Sequence, residues 1–138
     1  MPESEARRRL GAAAVARLAT VGPAGQPHIV PMTFALDGDR IYTAVDFKPK
    51  TTARLQRLRN IRADSRVAVL VDHYSGDWST LWWVRADGQA SVLEDPADMA
   101  APLRLLAQRY EQYRERPPGG PVVCVLVRRW TGWAASGA

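Results

Sequence analysis

Two lysines and two threonines stand together in the stretch VDFKPKTTARLQRLRNIR, residues 45–62, and could bind an anion. Lys48 and Lys50 are the only lysines of the chain, and Thr51 follows them at the predicted start of a helix. The first turn of a helix offers backbone N–H groups without intrahelical partners and a partial positive charge. A lysine ammonium and a threonine hydroxyl beside those groups complete a phosphate site. The same residues also fit a helix that Thr51 merely caps, with both lysines solvated.

The arginines of the same stretch carry a weaker signal. An apolar stripe at three-residue spacing predicts an amphipathic helix over residues 51–62, and it consists of Leu55, Leu58 and Ile61. The remaining positions are expected on the solvent side, and they carry Arg54, Arg57, Arg59 and Arg62. Arg54 lies one turn into the helix and could reach the same anion. A nucleic-acid interface would need aromatic residues among these cations, and the helix has none.

An aromatic residue in a polar loop is the second candidate ligand contact. Trp78 lies in the loop HYSGDWS, where a core role is hard to explain. A flat heterocyclic ligand or a partner subunit would cover its ring. Trp82 and Trp83 open the next strand, so one points inward and one outward, and we expect Trp83 to be the buried one.

Metal and hydrolytic chemistry find little support in the sequence. The two histidines, His28 and His73, have no cysteine or carboxylate beside them at metal-ligand spacing. The nucleophile motif G-x-S-x-G is absent. Cys124 lies in the run VVCVLV, where a small buried side chain is expected. We therefore predict no metal site and assign no catalytic residue.

Size and charge limit the classes of protein to consider. The chain has 138 residues, which fits a single domain over residues 1–138. Its net charge of +5 comes mainly from arginine, and arginine richness also follows from a GC-rich coding sequence. The charge is therefore weak evidence for nucleic acid, and we expect none as a partner. Neither a signal peptide nor an apolar run of membrane-spanning length is evident, so we expect a cytoplasmic protein without membrane contact.

The hydrophobic pattern predicts a mainly β protein with a few helices. Alternating or continuous apolar runs predict strands at 16–21, 28–36, 41–45, 66–72, 80–85, 89–93 and 122–133. Helices are predicted at 3–15 with Ser4 as N-cap, at 51–62, and at 96–113 with Asp95 as cap. Asp-Gly pairs at 37–38 and 87–88 predict two-residue hairpin turns and hence an antiparallel sheet. A six-stranded antiparallel split β-barrel accommodates this order.

Three stretches resemble the pyridoxamine 5'-phosphate oxidase-like split β-barrel superfamily, and within it the actinobacterial branch of probable deazaflavin (coenzyme F420)-dependent enzymes. They are ARLATVGPAGQPHIVPMTFALDGDRIYTAVD, KPKTTARLQRLRNIRADSRVAVLVDHY and DWSTLWWVRADGQASVL. The second is the most specific, and together they cover nearly the whole chain after the first helix. The resemblance implies a split barrel of the FMN-binding type. It also implies a homodimer with two cofactor sites between the subunits.

The resemblance also implies roles for individual residues. The phosphate of a flavin or deazaflavin would lie against Lys48, Lys50 and Thr51, with Arg54 as a further contact. Its ring would run along one strand at Val30, Pro31, Met32 and Thr33, and beside the next strand at Tyr42 and Thr43. Trp78 would approach the cofactor from the second subunit.

The implied function is that of an F420-dependent oxidoreductase that transfers a hydride between the deazaflavin and a small organic substrate. The cofactor carries that chemistry, so no acid–base pair is required of the protein. The alternatives are an FMN-binding oxidoreductase and a non-catalytic protein that binds a flavin or a tetrapyrrole. The arginine and histidine motifs of vitamin B6 oxidation are missing from the stretches HIVPM and RRWTGWAASGA, which argues against that reaction.

Overall fold

One antiparallel sheet organises the protein, whose computed structural model describes residues 1–45 and 52–138. Within them seven strands pair in the order β2-β1-β5-β6-β7-β4-β3. The strands are β1 Ala16–Val21, β2 Pro27–Met32, β3 Ala35–Asp37, β4 Arg40–Ala44, β5 Arg66–His73, β6 Trp82–Leu93 and β7 Val122–Ala134. The helices are α1 Glu3–Ala12, α2 Thr52–Ala63, α3 Pro96–Arg109 and α4 Glu111–Glu115. The mainly β split-barrel prediction is confirmed, with seven strands in place of six.

Alternating side chains build the main core on the inner face of this sheet. The inner-face residues Leu18, Val69 and Val125 are fully buried. Helices α1 and α2 cover this face, and Leu10 of α1 and Ile61 of α2 belong to the same buried cluster. Each such side chain contributes about 1.5–3 kcal/mol by leaving water, so the pattern of alternation fixes which face is inside.

The strand predicted over residues 28–36 is broken, and the break closes the barrel. Strand β2 pairs with β1 and ends at Met32, whereas β3 pairs with β4 and begins at Ala35. These two strands form opposite edges of the sheet, yet only Thr33 and Phe34 join them. The sheet must therefore curl until its edges meet at this junction. Met32 and Phe34, on either side of the break, are both buried.

Helix α3 packs on the other face of β3, β4 and β7, where Leu106 is fully buried. Asp95 caps it as predicted, because its carboxylate accepts a hydrogen bond from the N–H of Ala97. The predicted helix over 96–113 is interrupted at Tyr110, which has extended backbone angles (φ −120°, ψ 118°). The short helix α4 follows directly. Ala35, Ala44, Leu106 and Val122 form the centre of this second cluster. It covers the β3–β4 end of the sheet on the face opposite the main core.

The two Asp-Gly pairs have different roles, and only the first marks a hairpin. Asp37 pairs with Arg40, so the turn consists of Gly38 and Asp39, one residue later than predicted. Gly38 has the positive φ of 61° that such a turn requires. The second prediction is wrong, because β6 runs without interruption through Gly88, where a bulge interrupts its register with β7. A Cβ at Gly88 would lie 2.3 Å from the Leu126 carbonyl oxygen, so the glycine permits close backbone approach.

Three smaller predictions need correction. Helix α1 ends at Ala12 and its N-cap is Pro2, so Ser4 does not cap it. Trp82 packs against the main core and Trp83 lies on the outer face, the reverse of the predicted arrangement. Cys124 is partly buried, and this burial raises the pKa of its thiol.

Among the described helices, none has the length and apolar character needed to span a membrane.

Candidate functional site

A cavity of about 310 Å³ opens at the junction where the two edges of the sheet meet. Residues from strands β2 and β4, from helices α2 and α4, and from the segment after α1 line it: Val15, Pro31, Met32, Thr33, Thr43, Ala44, Arg57 and Tyr113. Its volume lies at the lower end of the range typical of small-molecule sites, and its lining combines apolar side chains with a few polar groups. The junction thus produces a pocket as a direct consequence of barrel closure.

The end of β2 and the residue that follows it contribute three of the four residues predicted to run along a ring. Pro31, Met32 and Thr33 line the cavity, whereas Val30 packs against the main core. Strand β2 is an edge strand of the sheet, which is where a proline can replace a hydrogen-bond donor. The end of β2 and the residue after it therefore form one wall of the cavity.

The two residues predicted on the adjacent strand point to opposite faces. Thr43 is 2% exposed and lines the cavity, and its hydroxyl donates a 2.8 Å hydrogen bond to the Thr33 carbonyl oxygen. Tyr42 packs in the second cluster against α3, where burial raises the pKa of its phenol. The structure therefore brings Thr43 to the cavity and places Tyr42 away from it.

Arg57 corrects the prediction that the arginines of α2 face solvent. It is 6% exposed and lines the cavity. In an α-helix Arg57 and Ile61 are one turn apart on the same face, together with Asn60, which is also buried. The Asn60 side chain donates to the hydroxyl of Thr20 on β1, so this face of α2 is polar as well as apolar. A buried guanidinium gives the cavity a permanent positive charge.

Tyr113 enters the cavity from α4, and sequence reasoning missed it. Its hydroxyl oxygen lies 2.7 Å from the Thr33 hydroxyl oxygen. The end of α3 is fixed to the strand junction, because the hydroxyl of Tyr110 accepts a hydrogen bond from Phe34 N–H and Arg109 donates to the Phe34 carbonyl oxygen. No sequence motif marks Tyr113, since its position depends on the interruption of the helix at Tyr110.

The predicted phosphate-binding residues Lys48, Lys50 and Thr51 lie outside the described residues. For Arg54, the structure describes the backbone within α2. The flanks of the segment 46–51 both border the cavity, because Ala44 lines it before the segment and Arg57 lines it after the segment. These four site predictions remain predictions.

Trp78 lies outside the cavity, in a short turn between β5 and β6. Its side chain is 77% exposed. The turn is well fixed, because the Asp77 carboxylate accepts hydrogen bonds from the hydroxyl and the backbone N–H of Ser79. The hydroxyl bond is the main cause of the lowered pKa of Asp77. The predicted contact of Trp78 with a cofactor or a partner subunit stays a prediction.

A second concave surface lies on the outer face of β1, β2, β5 and β6, with a volume of about 490 Å³. We call it the outer apolar surface; it is lined by Arg17, Ala19, Ile29, Ala68, Leu70, Asp72, Tyr74, Trp83 and Arg85. Ile29 is 64% exposed and Tyr74 is 61% exposed. Among the described residues, no group of three histidine, cysteine or carboxylate side chains is placed to hold a metal ion.

The chain belongs to the pyridoxamine 5'-phosphate oxidase family. The sequence profile of that family, described as pyridoxamine 5'-phosphate oxidase, matches residues 2–134. This match covers nearly the whole chain and agrees with the curled antiparallel sheet and its edge junction.

Individual relatives agree with this assignment. A 5a,11a-dehydrotetracycline/5a,11a-dehydrooxytetracycline reductase of Streptomyces rimosus subsp. rimosus is 39% identical over 56 residues, which are 41% of this chain and 38% of the reductase. A solved structure of a conserved hypothetical protein, Rv2991 from Mycobacterium tuberculosis, has a TM-score of 0.78 at 25% identity, over 97% of this chain and 85% of that one. A FAD-binding protein from Mesorhizobium loti has a TM-score of 0.74 at 22% identity, over 96% and 94% of the two chains.

Proposed function

We propose that the protein is an oxidoreductase that binds a flavin-type cofactor in the cavity at the strand junction, and that this cofactor is coenzyme F420. The composition of the cavity carries the proposal, because the guanidinium of Arg57 lines the same space as the hydroxyls of Thr33 and Tyr113. A planar ligand with a phosphate needs a cation at one end and hydrogen-bonding groups along its ring. The motif KPKTT supports the deazaflavin by resemblance, and FMN is the alternative cofactor.

The residues of this chain would hold the cofactor and shield it. Lys48, Lys50 and Arg57 would neutralise the phosphate, while Pro31 and Met32 would lie along the ring. When bound, the cofactor itself supplies hydride transfer, so the chain must provide orientation and exclusion of water. We assign no catalytic residue.

The substrate is proposed to be a small organic molecule. The reductase relative supports a reduction as the reaction, and the dehydrotetracycline in its name is the first acceptor to test. The match spans well under half of either protein, so substrate identity is a separate question from cofactor binding. The expected cytoplasmic location and the absence of a nucleic-acid partner stay predictions.

A second copy of the chain is the proposed occupant of the outer apolar surface. Its lining combines the apolar residues Ile29, Ala68 and Leu70 with charges of both signs, such as those of Arg17 and Asp72. Such a surface is self-complementary, which suits a twofold dimer. The fold family and the exposed Trp78 also support a homodimer whose subunits share the cofactor site.

Titration of the wild-type protein with coenzyme F420, FMN and haem tests the cofactor proposal. We expect F420 to bind most tightly, and Lys50→Ala and Arg57→Met each to weaken binding roughly ten- to a hundredfold, since each removes a charge-assisted contact of about 1.5–3 kcal/mol. Added salt should weaken wild-type binding as well, because charge attraction contributes to it.

The matched control is Arg62→Ala, which removes the same charge from the exposed side of the same helix, where Arg62 pairs with Glu94. It should bind F420 as the wild type does. Equal weakening by the control would show that the effect is general electrostatics. Wild-type affinity in both Lys50→Ala and Arg57→Met would refute the site, and binding without turnover of any acceptor would favour a carrier.

A further inference from the structure

A pair of hydroxyl groups with an unused hydrogen lines the cavity, and the inference drawn from it rests on the proposed function. Tyr113 and Thr33 belong to α4 and to the junction after β2, and they are 80 residues apart in the sequence. Their oxygen atoms are 2.7 Å apart, and both residues are partly buried. The contact is therefore a good hydrogen bond between two wall residues of the same cavity.

Counting hydrogens shows what this pair has left to offer. Each hydroxyl carries one hydrogen and can accept as well as donate. One hydrogen occupies the bond between Tyr113 and Thr33, and neither hydroxyl has a second partner within the described residues. The Thr33 carbonyl already accepts from Thr43. One O–H donor is therefore unused at the cavity wall, together with free lone pairs on both oxygens.

The pair is held in place from both sides. The ring of Tyr113 packs edge-on against Tyr110, with centroids 5.7 Å apart and planes at 73°. Tyr110 and Arg109 in turn bind the backbone of Phe34, the residue next to Thr33. Helix α4 and the strand junction therefore form one unit. A donor with a fixed position discriminates between ligands by where their acceptor atoms lie.

We infer that the Tyr113–Thr33 hydroxyl pair is a specificity element of the cavity, which donates a hydrogen bond to a carbonyl oxygen or ring nitrogen of a planar conjugated ligand. Either hydroxyl can supply the donor, because the hydrogen between the two oxygens can belong to either one. The acceptor atom belongs to the ring of the cofactor or to a substrate bound beside it, and the two sources share this chemistry.

Tyr113→Phe and Thr33→Val test this inference, since each removes one hydroxyl and keeps the shape of the side chain. The measurements are the F420 and FMN affinities, the absorption maximum of the bound ring, and the melting temperature. We expect each variant to bind roughly two- to tenfold more weakly and to shift the absorption maximum relative to the wild type. The double variant should lose less than the sum of the two, because the hydroxyls act as one unit.

Tyr110→Phe is the structural comparison, because its hydroxyl binds the backbone of Phe34 and does not line the cavity. It should lower the melting temperature and leave the absorption maximum of the bound ring in place. If the cofactor measurements are unchanged in Tyr113→Phe while KM for the acceptor rises at constant kcat, the ligand atom belongs to the substrate. If only the melting temperature changes, the pair merely attaches α4, and the inference is overturned. A wild type that binds no titrant refutes the proposed function itself, and the inference with it.

Discussion

At the residue scale, the pair Asp64–Arg66 gives the sharpest electrostatic prediction. The Arg66 side chain and its backbone N–H both donate to the Asp64 carboxylate, and the side-chain bond is the main cause that lowers the pKa of Asp64 to about 2. Because the folded pKa lies below the ordinary value of 3.8, the stabilising contribution of the pair is present above that pH. It is lost as the pH falls towards 2.

A carbon-detected NMR titration of the Asp64 carboxyl group checks this directly. We expect a midpoint near pH 2 in the wild type and a midpoint nearer 3.8 in Arg66→Gln, which keeps only the backbone contact. A midpoint for Asp64 that does not respond to Arg66→Gln would contradict the assigned cause.

The residues of the cavity differ in how far the sequence revealed them. Pro31 and Thr33, at and just after the end of β2, were named through the family resemblance, and the structure places both at the cavity. Arg57 was predicted on the solvent side because the apolar residues of α2 repeat every three positions. A helix repeats every 3.6 residues, so a three-residue repeat marks the buried face correctly only over one or two turns. Tyr113 could not be found, since its contact with Thr33 joins segments 80 residues apart and depends on tertiary packing.

At the element scale, strand β6 leaves no room for a side chain at Gly88. An added Cβ would lie 2.3 Å from the Leu126 carbonyl oxygen and 3.1 Å from the Cα of Val127, so the backbone of β7 would have to move. We expect Gly88→Ala to reduce the free energy of unfolding by about 1–3 kcal/mol, as other overpacking substitutions do. Urea denaturation measures the change.

Gly76→Ala is the matched control, because nothing lies within 4 Å of a Cβ built there and its backbone angle is ordinary. It should leave the stability within about 0.5 kcal/mol of the wild type. A Gly88→Ala protein as stable as this control would show that β6 and β7 can separate at the bulge without cost.

The same glycine shows why element prediction failed where it did. An Asp-Gly pair supplies a residue that accepts positive φ and a residue without a side chain, and both properties are useful in more than one setting. At Gly38 the first use applies, with a φ of 61°. At Gly88 the close approach of β7 applies, and β7 lies about 40 residues further along the chain. Local sequence cannot distinguish these uses, because the partner strand decides between them.

At the scale of the whole molecule, the closure of the sheet and the cavity have the same structural cause. Strands β2 and β3 are sheet edges, and the short junction at Thr33 and Phe34 draws them together. The polar backbone groups exposed by the break are satisfied by side chains of Thr43, Arg109 and Tyr110. The alternating pattern predicted the mainly β class, while closure depends on these contacts between distant segments.

Assembly is the first prediction at this scale. We expect light scattering after size exclusion to give the mass of a homodimer for the wild type. Ile29→Glu should give a monomer, because it places an unpaired charge on the outer apolar surface, where Ile29 is 64% exposed in one chain. Ala100→Glu, an equal change on an exposed position of α3, should leave the dimer intact. A monomeric wild type at micromolar concentration would refute the proposed interface.

The second prediction at this scale concerns Trp78, whose exposed ring has little reason to stabilise the fold of a single chain. Its turn is held by Asp77 and Ser79, so Trp78→Ala should keep the turn and leave the melting temperature within about 3 °C of the wild type. If the ring covers a cofactor bound in the partner subunit, F420 affinity should fall roughly tenfold, which corresponds to the loss of one aromatic contact. The dimer mass must be measured alongside, because a variant that dissociates would lose affinity for a different reason. Trp78→Phe should recover most of the affinity, since it restores a flat apolar ring. Unchanged affinity in an intact Trp78→Ala dimer would place the tryptophan outside the cofactor site.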